Sequence, residues 1–91
     1  MEIAQDAAVV ESRVRAAVAY AMRVSLDDWP AGEPLHNVPD GIYDSLAQLE
    51  AIVRLERDLD SGPLTLDQQA GELITITALT EWVVRKLGER G

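Results

Sequence analysis

Three stretches of this chain place apolar residues three and four positions apart, the spacing that gathers them on one face of an α-helix. The first covers residues 4–24, the second covers 45–59, and the third follows Thr75. Between the first two, residues 25–41 hold three prolines and two glycines, which exclude a regular helix there. No stretch shows strand-like alternation of useful length. The pattern therefore predicts an all-α fold, a small bundle of three main helices with a long loop between helices 1 and 2.

Apolar positions within these elements define the expected core. The first helix should bury Val10, Val14, Ala17, Val18, Ala21 and Met22, with Arg13, Arg15 and Arg23 on its wetter side. The second should bury Leu46, Leu49, Ile52, Val53, Leu55 and Leu59, and the third Ile76, Leu79, Trp82, Val83 and Leu87. Trp29, Leu35 and Val38 should hold the loop against the helices. One short helix near 66–71 completes the predicted bundle, and Gly88 should end the last helix.

Length and composition limit the chain further. Its 91 residues fit a single small domain spanning 1–91, and a 47% apolar content without phenylalanine predicts a modest aliphatic core. The absence of cysteine excludes disulfides, a cysteine nucleophile and thiolate metal sites, so any thiol chemistry needs an imported thiol. A formal charge of −8 disfavours nucleic acid and anionic lipid and favours basic protein partners. The alternative is that the acidity only keeps the protein soluble.

The start of the chain, "MEIAQDAAVVESRVR", lacks the basic beginning and apolar middle of a signal peptide. No apolar run approaches the roughly 20 residues that cross a bilayer. A cytoplasmic protein with no membrane association is therefore expected, and a monomer, since the helices carry no clear oligomer signal.

Few residues suggest catalysis or metal binding. Residues 58–69 begin like a calcium loop, but Pro63 stands where that loop needs a flexible glycine and Gln69 where it needs a bidentate glutamate. His36 is the only histidine, so a local hydrogen bond is expected of it and not catalysis. There is no glycine-rich phosphate loop and no paired-carboxylate signature. The chain is predicted not to be an enzyme.

The second predicted helix begins with two residues that could each cap it. Ser45 and Gln48 in "SLAQ" match a capping box, whereas Asp44 is an equally good cap whose charge suits the positive helix end. If Asp44 caps, Ser45 is the first helical residue and its hydroxyl faces solvent. An attached phosphate would then lie beside the N–H groups of the first turn, and Gly41 would give the backbone freedom to present the site.

The stretch "GIYDSLAQLEAIVRLERDL", residues 41–59, resembles the acyl, peptidyl and D-alanyl carrier proteins. Members of that superfamily place a glycine shortly before Asp-Ser-Leu, which opens an amphipathic helix. The upstream helix, the proline-containing loop and "ELITITALTEWV", residues 72–83, extend the resemblance over nearly the whole chain. It implies a phosphopantetheine-carrying domain with the modified serine at the start of helix 2.

The resemblance also implies a function. Ser45 would carry 4′-phosphopantetheine, transferred from coenzyme A by a phosphopantetheinyl transferase that docks at Asp44 and Leu46. An adenylate-forming ligase or acyltransferase would load the arm with an acyl or aminoacyl thioester for downstream biosynthetic enzymes. Partner recognition would involve helix 2 and the segment before the last helix, at Glu50, Val53, Glu56 and Ile74. Leu73 matches a contact position too, although a core role is favoured for it.

Two departures point to a dedicated pathway instead of bulk fatty-acid synthesis. The first is that Arg54 and Arg57 make helix 2 nearly balanced in charge. Glu50 and Arg54 are also spaced to form a surface ion pair. Gly41 lies four residues before Ser45, a spacing that looks more like discrete aminoacyl, D-alanyl and peptidyl carriers than like the fatty-acid type. The competing hypothesis is a non-covalent acidic helical adaptor in which Ser45 is only a helix cap.

Overall fold

The computed structural model describes residues 7–59 and 73–90. They form three α-helices, α1 (Ala7–Met22), α2 (Ser45–Leu59) and α3 (Ile76–Arg90), and one 3₁₀ turn at Leu35–Asn37. Within these two ranges no residue is in a β-strand. The predicted all-α fold with three main helices and a long loop between the first two is therefore confirmed. The short helix predicted at 66–71 lies outside the described residues.

α1 is the central helix, since it packs against both α2 and α3. Five of the six positions that the sequence pattern predicted are buried, and the sixth, Ala21, is half-buried; the five are Val10, Val14, Ala17, Val18 and Met22. The helix ends at Met22, two residues earlier than predicted, because Arg23 takes a left-handed φ of 61°. The N–H of Val24 then donates to the Ala19 carbonyl at 3.1 Å and that of Arg23 to the Tyr20 carbonyl at 3.2 Å. This is a Schellman motif with arginine at the position that glycine usually occupies.

The loop after α1 is held by buried apolar side chains and by one cation. Leu26, Leu35 and Val38 are buried, and Trp29 is half-buried against the core. Arg15 reaches from α1 and donates through Nη1 to the carbonyl oxygens of Leu26 and Trp29, each at 2.6 Å. The expectation that Arg15 belongs to the wetter side of α1 is therefore wrong. The guanidinium thus gives the Trp29 carbonyl a donor and gives the Leu26 carbonyl, which also accepts from the Trp29 N–H at 3.1 Å, a second one.

α2 begins and ends at the predicted residues, but the side it buries is shifted. The buried positions are Ala47, Gln48, Ala51, Ile52 and Leu55. Leu46, Leu49 and Val53, which the pattern placed in the core, are at least half exposed. The buried side carries two alanines, and small side chains at a helix contact let two helices approach closely.

α3 begins where the sequence predicted, with Thr75 as its cap: the N–H of Ala78 donates to Thr75 Oγ1 at 2.9 Å. The loop is joined to this end of α3 by hydrogen bonds from Leu35 N–H to the Ile74 carbonyl, at 2.7 Å, and from Thr77 N–H to the Ala31 carbonyl, at 3.0 Å. The predicted stop at Gly88 is wrong, since the helix continues to Arg90. An exposed glycine near a helix end lowers helix stability without forcing a break.

Candidate functional site

The first turn of α2 is capped by Asp44. The N–H of Ala47 donates to Asp44 Oδ1 at 2.9 Å, and the N–H of Gln48 donates to the Asp44 backbone carbonyl at 2.9 Å. A carboxylate at this position also interacts favourably with the positive end of the helix dipole. Of the two candidate caps that the sequence offered, Asp44 is therefore the one used.

Ser45 is consequently the first residue of the helix, and it is exposed. Its hydroxyl makes no hydrogen bond with any residue that the structure describes. The capping box with Gln48 is not formed, because that side chain is buried and its amide nitrogen donates elsewhere. Ser45 thus has a solvent-facing hydroxyl at a helix N-terminus and no structural task there.

The backbone around Ser45 leaves two donors for an anion. Neither the N–H of Ser45 nor that of Leu46 bonds to a residue in 7–59 or 73–90. Such N–H groups at a helix start, together with the helix dipole, favour a negatively charged group. A phosphoryl group on the Ser45 hydroxyl oxygen would lie close to these two N–H groups, because one of them belongs to Ser45 itself and the other to the next residue.

A buried polar cluster lies behind this helix start. The Tyr43 hydroxyl donates to the Leu73 carbonyl at 2.6 Å, and Gln48 Nε2 donates to the Tyr43 oxygen at 3.0 Å and to the same Leu73 carbonyl at 3.1 Å. Burial raises the pKa of Tyr43 to about 12, although the hydrogen bond from Gln48 acts in the opposite direction. His36 stacks edge-on against the Tyr43 ring at a centroid distance of 5.8 Å. No role was predicted from the sequence for Tyr43, or for Gln48 as a buried side chain.

The turn before Ser45 uses its glycine differently from what the sequence suggested. The left-handed φ in this turn, 65°, belongs to Asp40 and not to Gly41. A Cβ added at Gly41 would lie 3.0 Å from the Met22 methyl and 3.1 Å from Val24 Cγ1. Gly41 is therefore needed for close approach to the end of α1, and its predicted role in backbone freedom is wrong.

Exposed apolar side chains stand before and after Ser45 in the chain and continue along α2. Ile42 is 74% exposed and Leu46 72%, while Leu49 and Val53 are about half exposed at 50% and 53%. Because residues 46, 49 and 53 recur at helical spacing, their side chains form one row along the helix. We call these three residues and Ile42 the apolar row. Large apolar side chains gathered on a surface in this way indicate a contact site.

The predicted recognition residues fall into two groups. Glu50 and Val53 are exposed beside or within the apolar row, whereas Glu56 and Ile74 are half-buried. Leu73 is buried, as favoured from the sequence. Leu46, Glu50 and Val53 lie on one exposed side of α2, and Asp44 and Ser45 are exposed at its start. Ile74 is part of the packing between the loop and α3.

Beyond Val53, α1 and α2 enclose a depression of about 210 Å³ lined by Tyr20, Glu50, Val53, Arg54 and Arg57. The guanidinium carbon of Arg54 lies 3.8 Å from the centre of the Tyr20 ring, a cation–π contact. The predicted ion pair between Glu50 and Arg54 is absent from the described ion pairs. Stacking on the tyrosine holds Arg54 in its place.

Comparisons of this chain with protein-family models, with curated proteins and with solved structures found no match.

The remaining sequence candidates are not assembled into sites. No three metal-binding side chains come together within residues 7–59 and 73–90. The calcium-like segment 58–69 lies almost wholly outside that part of the chain. No helix among the described residues has the length and apolar content needed to cross a membrane.

Proposed function

We propose that this chain is a discrete acyl or aminoacyl carrier protein that holds a biosynthetic intermediate as a thioester on a 4′-phosphopantetheine arm attached to Ser45. One observation carries the proposal. Asp44 caps α2, which leaves the Ser45 hydroxyl exposed at the first helical position without a hydrogen bond to any described residue. The resemblance of residues 41–59 to carrier proteins supports it.

The local groups suit the attachment chemistry. Ser45 Oγ would attack the phosphorus that bears pantetheine in coenzyme A, and its proton would be released. One Oγ–P bond forms, the P–O bond of the pyrophosphate breaks, and adenosine 3′,5′-bisphosphate leaves. The N–H groups of Ser45 and Leu46 would favour the new phosphodiester anion at the helix start. The arm would supply the thiol that a chain without cysteine lacks.

The surface near Ser45 suits transient protein partners. A phosphopantetheinyl transferase would contact Asp44, Leu46 and the apolar row, and a loading ligase or acyltransferase would follow it on the same surface. The formal charge of −8 favours partners with basic surfaces. The chain itself would catalyse nothing, and we place its work in a dedicated biosynthetic pathway of the cytoplasm, as a monomer.

Intact-protein mass spectrometry tests the proposal. The full chain is incubated with coenzyme A, magnesium and a broad-specificity phosphopantetheinyl transferase. We expect a mass gain of one phosphopantetheine on the wild type and none on Ser45→Ala. Ser25→Ala, which removes another exposed serine, should be modified like the wild type.

A folded wild type that gains no mass would contradict the carrier function. The exposed apolar row of Ile42, Leu46, Leu49 and Val53 would then favour the non-covalent adaptor.

A further inference from the structure

The depression between α1 and α2 is locally basic on an acidic protein. Arg54 and Arg57 line it together with a single carboxylate, that of Glu50, so the guanidinium groups are in excess. Neither arginine forms an ion pair with the residues described in 7–59 and 73–90. The face of Arg54 is occupied by the Tyr20 ring, which leaves the N–H donors at its edge for another acceptor. A planar, stacked guanidinium is well suited to a carboxylate.

This depression lies within reach of Ser45. Arg54 and Arg57 follow Ser45 by nine and twelve residues on one continuous helix. At a rise of about 1.5 Å per residue, Arg54 and Arg57 lie roughly 14 and 18 Å from Ser45 along the helix axis. A phosphopantetheine arm has about fourteen bonds between the serine oxygen and sulfur, which extend to roughly 18 Å at ordinary bond lengths. Leu46, Leu49 and Val53 form an exposed apolar path between the two places.

We propose that the depression lined by Tyr20, Arg54 and Arg57 binds the free carboxylate of an acyl group carried on the Ser45 arm. The inference rests on the carrier function proposed above and names its cargo class, acyl groups that end in a carboxylate. A tethered ligand has an effective concentration in the millimolar range, so a contact with an intrinsic dissociation constant in that range would be populated on the arm. Between Ser45 and the depression, the arm would contact the apolar row.

Loading with two matched cargoes tests this. A broad-specificity transferase transfers the acylated arm from succinyl-coenzyme A or from butyryl-coenzyme A to the full-length chain, labelled with ¹⁵N and ¹³C. Both acyl groups have four carbons; the succinyl group ends in a carboxylate and the butyryl group ends in a methyl group. We expect NMR signals of the Arg54 and Arg57 Nε–H groups and of the Tyr20 ring to differ between the two loaded forms. Raising the salt concentration should reduce the difference, since exposed charge contacts are screened.

Two variants make the test specific. Arg54→Gln should reduce the succinyl-dependent shift of the Tyr20 ring at least twofold, and Arg54→Gln combined with Arg57→Gln should abolish it. Arg13→Gln, at an exposed arginine of α1 outside the depression, should leave it unchanged.

The outcomes separate the two proposals. Succinyl and butyryl forms that load equally and give identical signals at Tyr20, Arg54 and Arg57 would overturn the carboxylate site alone. A succinyl-dependent shift that persists in the double variant would do the same. Failure of a folded chain to load with either cargo would overturn the carrier function together with the inference.

Discussion

The hydroxyl of Tyr43 donates a 2.6 Å hydrogen bond to the backbone carbonyl of Leu73, 30 positions further along the chain. Tyr43 stands two residues before Ser45, and Leu73 stands just before the cap of α3. Gln48 donates to both oxygens and closes the cluster. The start of α2, where the proposed modification takes place, is therefore fixed by the segment that leads into the last helix as well as by its own cap.

Tyr43 should make the protein sensitive to high pH. Burial raises its pKa to about 12, so the folded protein retains the phenolic proton after the unfolded chain, with an ordinary pKa of about 10, has lost it. The contribution to stability is fully present below about pH 10 and is lost as pH rises through about 12, at up to ~1.4 kcal/mol per pH unit between these values. Urea unfolding of wild type and Tyr43→Phe at several pH values above 9 measures it.

The wild type should lose stability more steeply than Tyr43→Phe over this range. Tyr20→Phe, which changes a tyrosine that is 56% exposed, should retain the wild-type slope. Equal slopes for all three proteins would contradict the effect assigned to burial of Tyr43.

The two candidate caps of α2 should respond differently to alanine. Asp44→Ala removes the acceptor of the Ala47 N–H and should lower the free energy of unfolding by about 1 kcal/mol. Ser45→Ala removes a hydroxyl without a described partner and should change it by less than about 0.5 kcal/mol, because it touches none of the features that make substitutions costly. Chemical unfolding followed by circular dichroism gives both values. A larger loss for Ser45→Ala would show that the serine is the working cap.

Arg15 should be the arginine on which the long loop depends. Arg15→Met retains the aliphatic stem but leaves the Trp29 carbonyl without its donor, the Leu26 carbonyl with the Trp29 N–H alone, and Glu11 without its ion pair. We expect a loss of roughly 2 kcal/mol. Arg13→Met, at an exposed position of the same helix, should lie within about 0.5 kcal/mol of the wild type. Thermal or urea unfolding distinguishes them. Equal stability of the two variants would remove Arg15 from this role.

Gly41→Ala tests the close approach between the turn before α2 and the end of α1. The new Cβ would lie 3.0 Å from the Met22 methyl, which can move, and 3.1 Å from Val24 Cγ1, which is stiffer. Overpacking of this kind should destabilise by about 1–2 kcal/mol. Gly32→Ala is the matched control, since nothing lies within 4 Å of its added Cβ. The control should be neutral or stabilising by up to about 1 kcal/mol, because alanine restricts the unfolded chain.

Local signals in the sequence predicted the helix starts well. Ser45 and Ile76 begin helices at the predicted positions because each follows a residue, Asp44 or Thr75, whose side chain bonds to the N–H three positions later. That interaction depends only on neighbours in the chain. The end of α1 was missed because arginine at a left-handed position carries no signal comparable to glycine.

The apolar spacing of α2 predicted a helix and misplaced its buried side. The apolar residues of α2 cover a wider arc of the helix than the core contacts. Periodicity alone therefore does not decide whether Leu49 or Gln48 is buried. Gln48 is buried because Tyr43 and Leu73 provide acceptors for its amide, and Leu46, Leu49 and Val53 remain outside. The Leu73 carbonyl lies 25 positions from Gln48 along the chain, so a local pattern does not record this acceptor.

The sequence by itself determined the class of fold, the three helices and the position of Ser45 at a helix start, because hydrophobic period and capping act over a few neighbouring residues. Only the tertiary structure decided that Arg15 secures the loop, that Tyr43 and Gln48 fix the start of α2, and that Arg54 stacks on Tyr20 instead of pairing with Glu50. Each of these contacts joins residues brought together by helix packing, and the energy of such a contact depends on burial and on partners that the neighbouring sequence does not contain.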